Sequence, residues 1–145
     1  MQLALEQAQK AFKKGEVPVG AVIVKNGKVL SKGFNRKETK HMASRHAEIE
    51  AIEKASRKLK DWRLNDCEMY VTLEPCCMCA GAILSSRIKK VYIGAMEHNF
   101  GCCGSAMNLL DNPAFTTKVE TQCGILENES VGLLQKFFKD KRKKQ

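Results

Sequence analysis

No apolar run among the 145 residues approaches the roughly 20 needed to cross a bilayer, which excludes a helical membrane-spanning protein. Met1 to Phe12 carries Gln, Lys and Glu where a signal peptide would carry a continuous apolar stretch, so a cytoplasmic setting without membrane association is expected. Aromatics are scarce, at 6% against 43% hydrophobic and 28% charged residues, within the range of ordinary globular proteins. Repeats, linkers and low-complexity segments are missing apart from a basic end, and one domain over residues 1–145 is the expectation. A spaced disulfide framework is missing too. The seven cysteines are odd in number, and five crowd into two short stretches, Cys76, Cys77 and Cys79, then Cys102 and Cys103. Metal chemistry in a reducing compartment fits that pattern better.

Charge is abundant and uneven. The net charge is +9, and Lys136 to Gln145 holds six Lys or Arg against one Asp, so more than half of the excess lies in the last ten residues. Such a tail is either a solvated end or a means of holding a polyanion, nucleic acid being the commonest one.

The apolar pattern predicts alternating helices and strands. Leu5, Ala8 and Phe12 recur at helical spacing before Gly15 and Pro18 end the first segment. Val19 to Val24 and Val29 to Phe34 flank Asn26-Gly27, a strong hairpin signal. A polar loop from Asn35 to Arg45 follows, then a helix with Ile49, Ile52 and Leu59 on one face, and a strand from Met69 to Leu73 ended by Pro75. Ala80 to Leu84 reads as helix and Val91 to Ala95 as strand. A short helix is expected around Met107 to Leu110 and a weak strand from Lys118 to Thr121. A last helix spans about Glu127 to Lys141 in the basic end of residues 127–145, with Asn128 as its cap and Val131, Leu134 and Phe138 on one face. The order predicts an α/β fold, a three-layer α/β/α arrangement with a central mixed five-stranded sheet.

Two short motifs carry chemistry. His46-Ala47-Glu48 opens one predicted helix and Pro75-Cys76-Cys77-Met78-Cys79 opens another. Cys76 and Cys79, three residues apart, share a helix face, whereas Cys77 is turned about 100° from Cys76. One imidazole and two thiolates are three protein ligands, which for zinc leaves a fourth position to water, as in catalytic sites. Helix N-termini favour thiolates. Glu48 is placed to take a proton from a bound water whose pKa zinc lowers towards ~7. Two other readings use the same cysteines: a redox-active Cys-x-x-Cys, and a structural four-cysteine zinc site completed by Cys102 and Cys103. Neither uses His46 or Glu48, and adjacent cysteines make awkward co-ligands. His41 and His98 read as surface residues, since no other ligand type accompanies them at ligand spacing.

His-x-Glu followed by Pro-Cys-x-x-Cys resembles the signature of the cytidine deaminase-like superfamily of base deaminases. More of the chain resembles one of its families, the bacterial tRNA-specific adenosine deaminases. The similar stretches are Glu16 to Ala21, Asn35 eleven residues before His46, Trp62-Arg63-Leu64, Tyr70 to Pro75, Met78 to Ala82, Gly104 to Leu110 and Phe137-Phe138-Lys139, covering nearly the whole chain up to about Arg142. The resemblance implies that His46, Cys76 and Cys79 bind one Zn2+ per chain and that Glu48 is the catalytic proton shuttle. It implies that Asn35, the Ala47 backbone N–H and an apolar wall at Val22 hold the base. Glu97, Phe138, Lys139 and Arg142 correspond to RNA-contacting positions, and of the adjacent Phe137 and Phe138 one is expected to pack while the other meets RNA. The implied reaction is hydrolytic deamination of adenosine to inosine at the wobble position of a tRNA anticodon stem-loop, by a homodimer whose RNA groove uses both subunits. The chain departs from the family pattern at Met42 to Arg45, at Glu97, where many relatives carry Asp, and at Thr116-Thr117.

Two rivals stand beside this reading. A zinc deaminase of a free base or nucleoside, such as guanine, cytosine or cytidine, shares both motifs; the basic tail and the Asn35 to His46 spacing favour RNA. A zinc-stabilised RNA-binding module without catalysis would gain nothing from a carboxylate beside its metal.

Overall fold

The computed structural model describes residues 1–145. The first helix, α1 (Gln2–Lys13), leads into the hairpin β1 (Gly20–Lys25) and β2 (Lys28–Phe34); a short α2 (Lys37–Lys40) and a longer α3 (Ala47–Leu59) follow. Then come β3 (Cys67–Leu73), α4 (Cys77–Ser85), β4 (Lys90–Ala95), β5 (Glu120–Gln122) and α5 (Glu127–Lys143). The five strands form one mixed sheet in the order β2-β1-β3-β4-β5. β1 runs antiparallel to β2 and to β3, with Ala21 opposite Val71, while β3, β4 and β5 are parallel, with Val71 opposite Ile93. Asn26 and Gly27 both adopt positive φ, the conformation that a two-residue hairpin turn demands, so the expected hairpin forms where Asn-Gly stands.

Helices cover both faces, as the alternation predicted. α1 and α5 pack on one side of the sheet and α3 and α4 on the other. The helix faces turned inward are small. α1 buries Ala4, Ala8 and Ala11, and α3 buries Ala47, Ala51 and Ala55. Alanine lets a helix approach a sheet closely, and at Gly33 the approach leaves no room for a side chain, because a Cβ there would overlap the Ala47 carbonyl oxygen. The central strands supply the bulk, with Ile23, Met69, Val71, Val91 and Ile93 fully buried.

Several local expectations are corrected. The buried face of α3 is this alanine row with Glu48 and Glu50, and Ile49, Ile52 and Leu59 are only half-buried. The loop after Asn35 contains α2, because the Glu16 carboxylate, more than twenty residues away, accepts the amide hydrogens of Glu38 and Thr39. No helix forms at Met107 to Leu110. Gly104 N–H instead bonds the Met107 carbonyl, Leu109 N–H bonds that of Cys102, and Cys103 pairs with Asn108 as an isolated bridge. The last strand begins at Glu120, two residues later than expected. α5 starts after Leu126, which is left-handed, with no side-chain cap from Asn128. Its inward aromatic is Phe137, edge-on to Phe12 at 5.8 Å, while Phe138 is 44% exposed.

This topology gathers chain ends at one edge of the sheet. β3 and β4 finish there, β2 finishes beside them, and β1 begins there, so residues 17–19, 34–37, 73–76 and 95–97 are neighbours. The N-termini of α3 and α4 open at the same edge, because each follows directly from that cluster of loops.

Candidate active site and metal centre

His46 precedes α3 in extended conformation, and Cys76 precedes α4 in the same way. Each is therefore the N-cap residue of its helix, and neither side chain bonds back to that helix's own N–H groups. Cys79, one turn into α4, completes the group. Nδ1 of His46 lies 3.7 Å from Cys76 Sγ and 3.5 Å from Cys79 Sγ, and the three donor atoms lie within 4.8 Å of one another. Hydrogen bonds from Cys79 and His46 draw the Cys76 thiol down to about 3, far into the thiolate range. Cys79 shifts the opposite way, its proton retained by the bond to Cys76 and by burial. The Cys76 thiolate beside His46 raises the imidazole. Two sulfurs and a ring nitrogen converge with one sulfur already inclined to ionise, and this donor set suits a metal of zinc's preferences. Cys77 is exposed and stands apart from the group, as do the exposed His41 and His98; Cys102 and Cys103 are buried without joining it.

Glu48, two residues after His46, is 3% exposed and accepts a hydrogen bond from Cys79 Sγ at 3.0 Å on Oε2. Burial pushes its carboxyl up, so it can hold a proton at higher pH than an exposed glutamate. A carboxylate with a raised pKa touching a ligand thiol, inside a cleft, is the arrangement of a proton carrier.

The cleft occupies about 440 Å³ and is lined by Val17, Val19, Asn35, Lys37, His46, Ala47, Glu48, Leu73, Glu74, Cys76, Glu97, Phe100 and Phe138. Of the residues singled out from sequence, it brings together His46, Cys76, Glu48, Asn35, Ala47, Glu97 and Phe138. Asn35 is locked: its Nδ2 donates to the Val17 carbonyl at 3.2 Å and its Oδ1 accepts the Lys37 amide hydrogen at 3.2 Å. One amide hydrogen and one lone pair remain for a ligand. Ala47, as the first helical residue, has an N–H with no intrahelical carbonyl to bond. Val22 does not join the cleft. A Cβ on Gly20 would meet Ala4 and Ala8 of α1, and Val22, two residues on, points to that same far face, so the apolar wall is made by Val17 and Val19 instead. Lys139 and Arg142 are exposed on α5 outside the cleft.

Residues that the sequence pattern does not single out hold the site in place. Glu50 pairs with Arg36 at 3.1 Å and with Arg45 at 3.7 Å, which ties the residue after Asn35 and the residue before His46 to the same turn of α3. Glu74, 3% exposed, accepts the backbone amides of Glu97, Cys103 and Ser105 at 2.9–3.0 Å and the Ser105 hydroxyl. Burial alone would raise its carboxyl, yet these donors outweigh it and hold it below the usual glutamate value. Its place beside Pro75-Cys76 is the only sequence signal for this role.

Comparison with known proteins agrees with the geometry. The family model of the MafB19-like deaminases matches residues 1–142. A tRNA-specific adenosine deaminase of Bacillus subtilis (strain 168) is 46% identical over 144 residues, covering 99% of this chain and 89% of that protein. One of Aquifex aeolicus (strain VF5) is 45% identical, covering 98% and 93%. A structure solved in studies of A-to-I editing by tRNA:A34 deaminases at the wobble position of transfer RNA superposes with a TM-score of 0.89 at 38% identity, over 92% of this chain and 97% of that one.

Proposed function

The chain matches the MafB19-like deaminase family and belongs with the tRNA-specific adenosine deaminases, and from that premise we propose that it converts adenosine to inosine at the wobble position of a tRNA anticodon. The observation that carries the reading is the contact of Glu48 with the His46, Cys76 and Cys79 group inside a cleft that also presents Asn35 and the Ala47 N–H.

His46, Cys76 and Cys79 would hold one zinc ion. Zinc in such a site supplies Lewis acidity that makes water a nucleophile at neutral pH. Glu48 accepts a proton of the attacking water on a carboxylate oxygen, passes it to the purine ring, and carries the second to the leaving amine, so that water and adenosine give inosine and ammonia. Burial raises the proton affinity of Glu48 above that of an exposed glutamate, which suits it to hold the proton between these transfers. Asn35 orients the base through the amide hydrogen and lone pair left free, and Ala47 N–H donates to the purine edge. Val17, Val19 and Leu73 exclude water from the rest of the base. The substrate is a base splayed out of a single-stranded loop, which suits an open-mouthed cleft. Phe138, with Lys139 and Arg142 on the same helix and Glu97 at the cleft wall, would meet the anticodon loop. The whole of residues 1–145 acts as one deaminase domain in a cytoplasmic homodimer.

Competition between substrates tests the proposal. The purified protein should form inosine in an anticodon hairpin and leave free guanine, cytosine and cytidine intact. Turnover of free bases with an inert hairpin would assign the free-base reaction instead.

A further inference from the structure

Phe100 is 72% exposed, the most exposed large apolar side chain of the molecule, and it lines the cleft. Isolated exposed apolar residues are ordinary on protein surfaces. What sets this one apart is its mounting. The segment from Glu97 to Ser105 is fixed through the buried Glu74 carboxylate, which takes amide hydrogens at both ends of the segment, from Glu97 and from Ser105, and at Cys103 in between. Gly101 N–H bonds the Glu97 carbonyl at 2.8 Å and Cys102 N–H bonds that of Pro75 at 2.8 Å, closing a tight turn directly after Phe100. Gly101 is required there, because a Cβ would run into the Glu74 carboxylate. The ring is thus carried on a rigid backbone and held out at the cleft wall. Phe138 reaches the same cleft from α5, whose last turns carry the basic tail.

Two exposed aromatic rings on one cleft beside an excess of positive charge match the chemistry of a single-stranded polynucleotide, whose bases offer flat faces and whose backbone is anionic. We propose that Phe100 is a stacking platform for the nucleobase adjoining the one held in the cleft, a specificity contribution beyond the deamination machinery. The inference rests on the proposed function above, since it needs an RNA loop as substrate. Stacking is indifferent to base identity, so Phe100 sets how tightly an unstacked loop is held rather than which base flanks the target. It also favours a polymer over a free nucleoside, which has no adjoining base to offer.

The test compares wild type, Phe100→Ala and Phe100→Trp on an anticodon hairpin carrying 2-aminopurine beside the target adenosine. So exposed a side chain can be removed without disturbing the core. Phe100→Ala should raise KM about 5- to 150-fold, the effect falling on KM rather than kcat, and should abolish the quenching of 2-aminopurine seen on binding to wild type. Phe100→Trp should restore both. An unchanged KM in Phe100→Ala, quenching that persists without the ring, or a change in oligomeric state as the sole effect would overturn the proposal. If wild type makes no inosine in the hairpin, the functional reading itself fails and takes this inference with it; intact turnover with an indifferent Phe100→Ala fails the inference alone.

Discussion

Cys79 Sγ lies 3.0 Å from Glu48 Oε2, so the carboxylate that carries protons touches one of the three groups that would hold the metal. That contact joins the N-terminal turns of α3 and α4, two helices that start at the same edge of the sheet. Proton carrier and metal ligand are therefore set by one piece of architecture, and they can still be separated by substitution.

Glu48→Gln should retain about one zinc per chain while turnover falls by at least about 100-fold, since the ligands stay and the proton acceptor goes. Metal analysis and a single-turnover assay on the same preparation check both halves. Loss of stoichiometric zinc would make Glu48 a ligand.

Cys76→Ser and Cys79→Ser should each strip the metal, whereas Cys77→Ser should keep metal and activity, because Cys77 is exposed and stands apart from the donor group. Metal content of the three purified variants, measured after dialysis against a mild chelator, distinguishes the positions.

Acid should expose the role of Glu16. Burial alone would raise its carboxyl, but the hydrogen bonds from Thr39 and Glu38 outweigh it and lower its pKa in the folded state. A lowered folded value means that its contribution is fully present above the ordinary glutamate range and is lost as pH falls through and below that range. Glu16→Gln should cost about 1–3 kcal/mol near neutral pH, with the gap to wild type closing in acid. Urea unfolding from pH 7 to pH 3 checks the sign, and a gap that widens in acid would contradict it.

Deleting Lys139 to Gln145 removes five basic residues and one acidic one. If those charges meet phosphates, hairpin affinity should fall, and the slope of log affinity against log salt should flatten by about 0.7 for each phosphate the tail no longer neutralises. Parallel salt dependences for the full and shortened chains would make the tail a solvated end.

The chemistry is legible in the sequence because it is local. His46, Glu48, Cys76 and Cys79 are spaced so that two helix starts present them, and no distant residue is needed to read that. The resemblance puts Val22 at the base, whereas the cleft is lined by Val17 and Val19 just before β1, and Val22 shares the face of Gly20 that turns to α1. The inner face of α3 is hidden because alanine is a weak apolar signal beside Ile49 and Ile52, and the burial of Ala47, Ala51 and Ala55 with the closeness of Gly33 to Ala47 reveals it. At Met107 to Leu110 the apolar run suggests a helix, but long-range bonds to Cys102 and Gly104 claim its backbone. The order of Phe137 and Phe138 depends on Phe12, far away in the chain. Glu74, Glu16 and Glu50 are invisible for the same reason, since each acts through partners that only the fold brings near.

The most direct measurement is inosine formation in total tRNA incubated with the purified protein, with modified sites located by sequencing. Inosine should appear at wobble adenosines with wild type and be absent with Glu48→Gln, as the proposed function requires. Unmodified tRNA, or inosine that forms equally with Glu48→Gln, would contradict it.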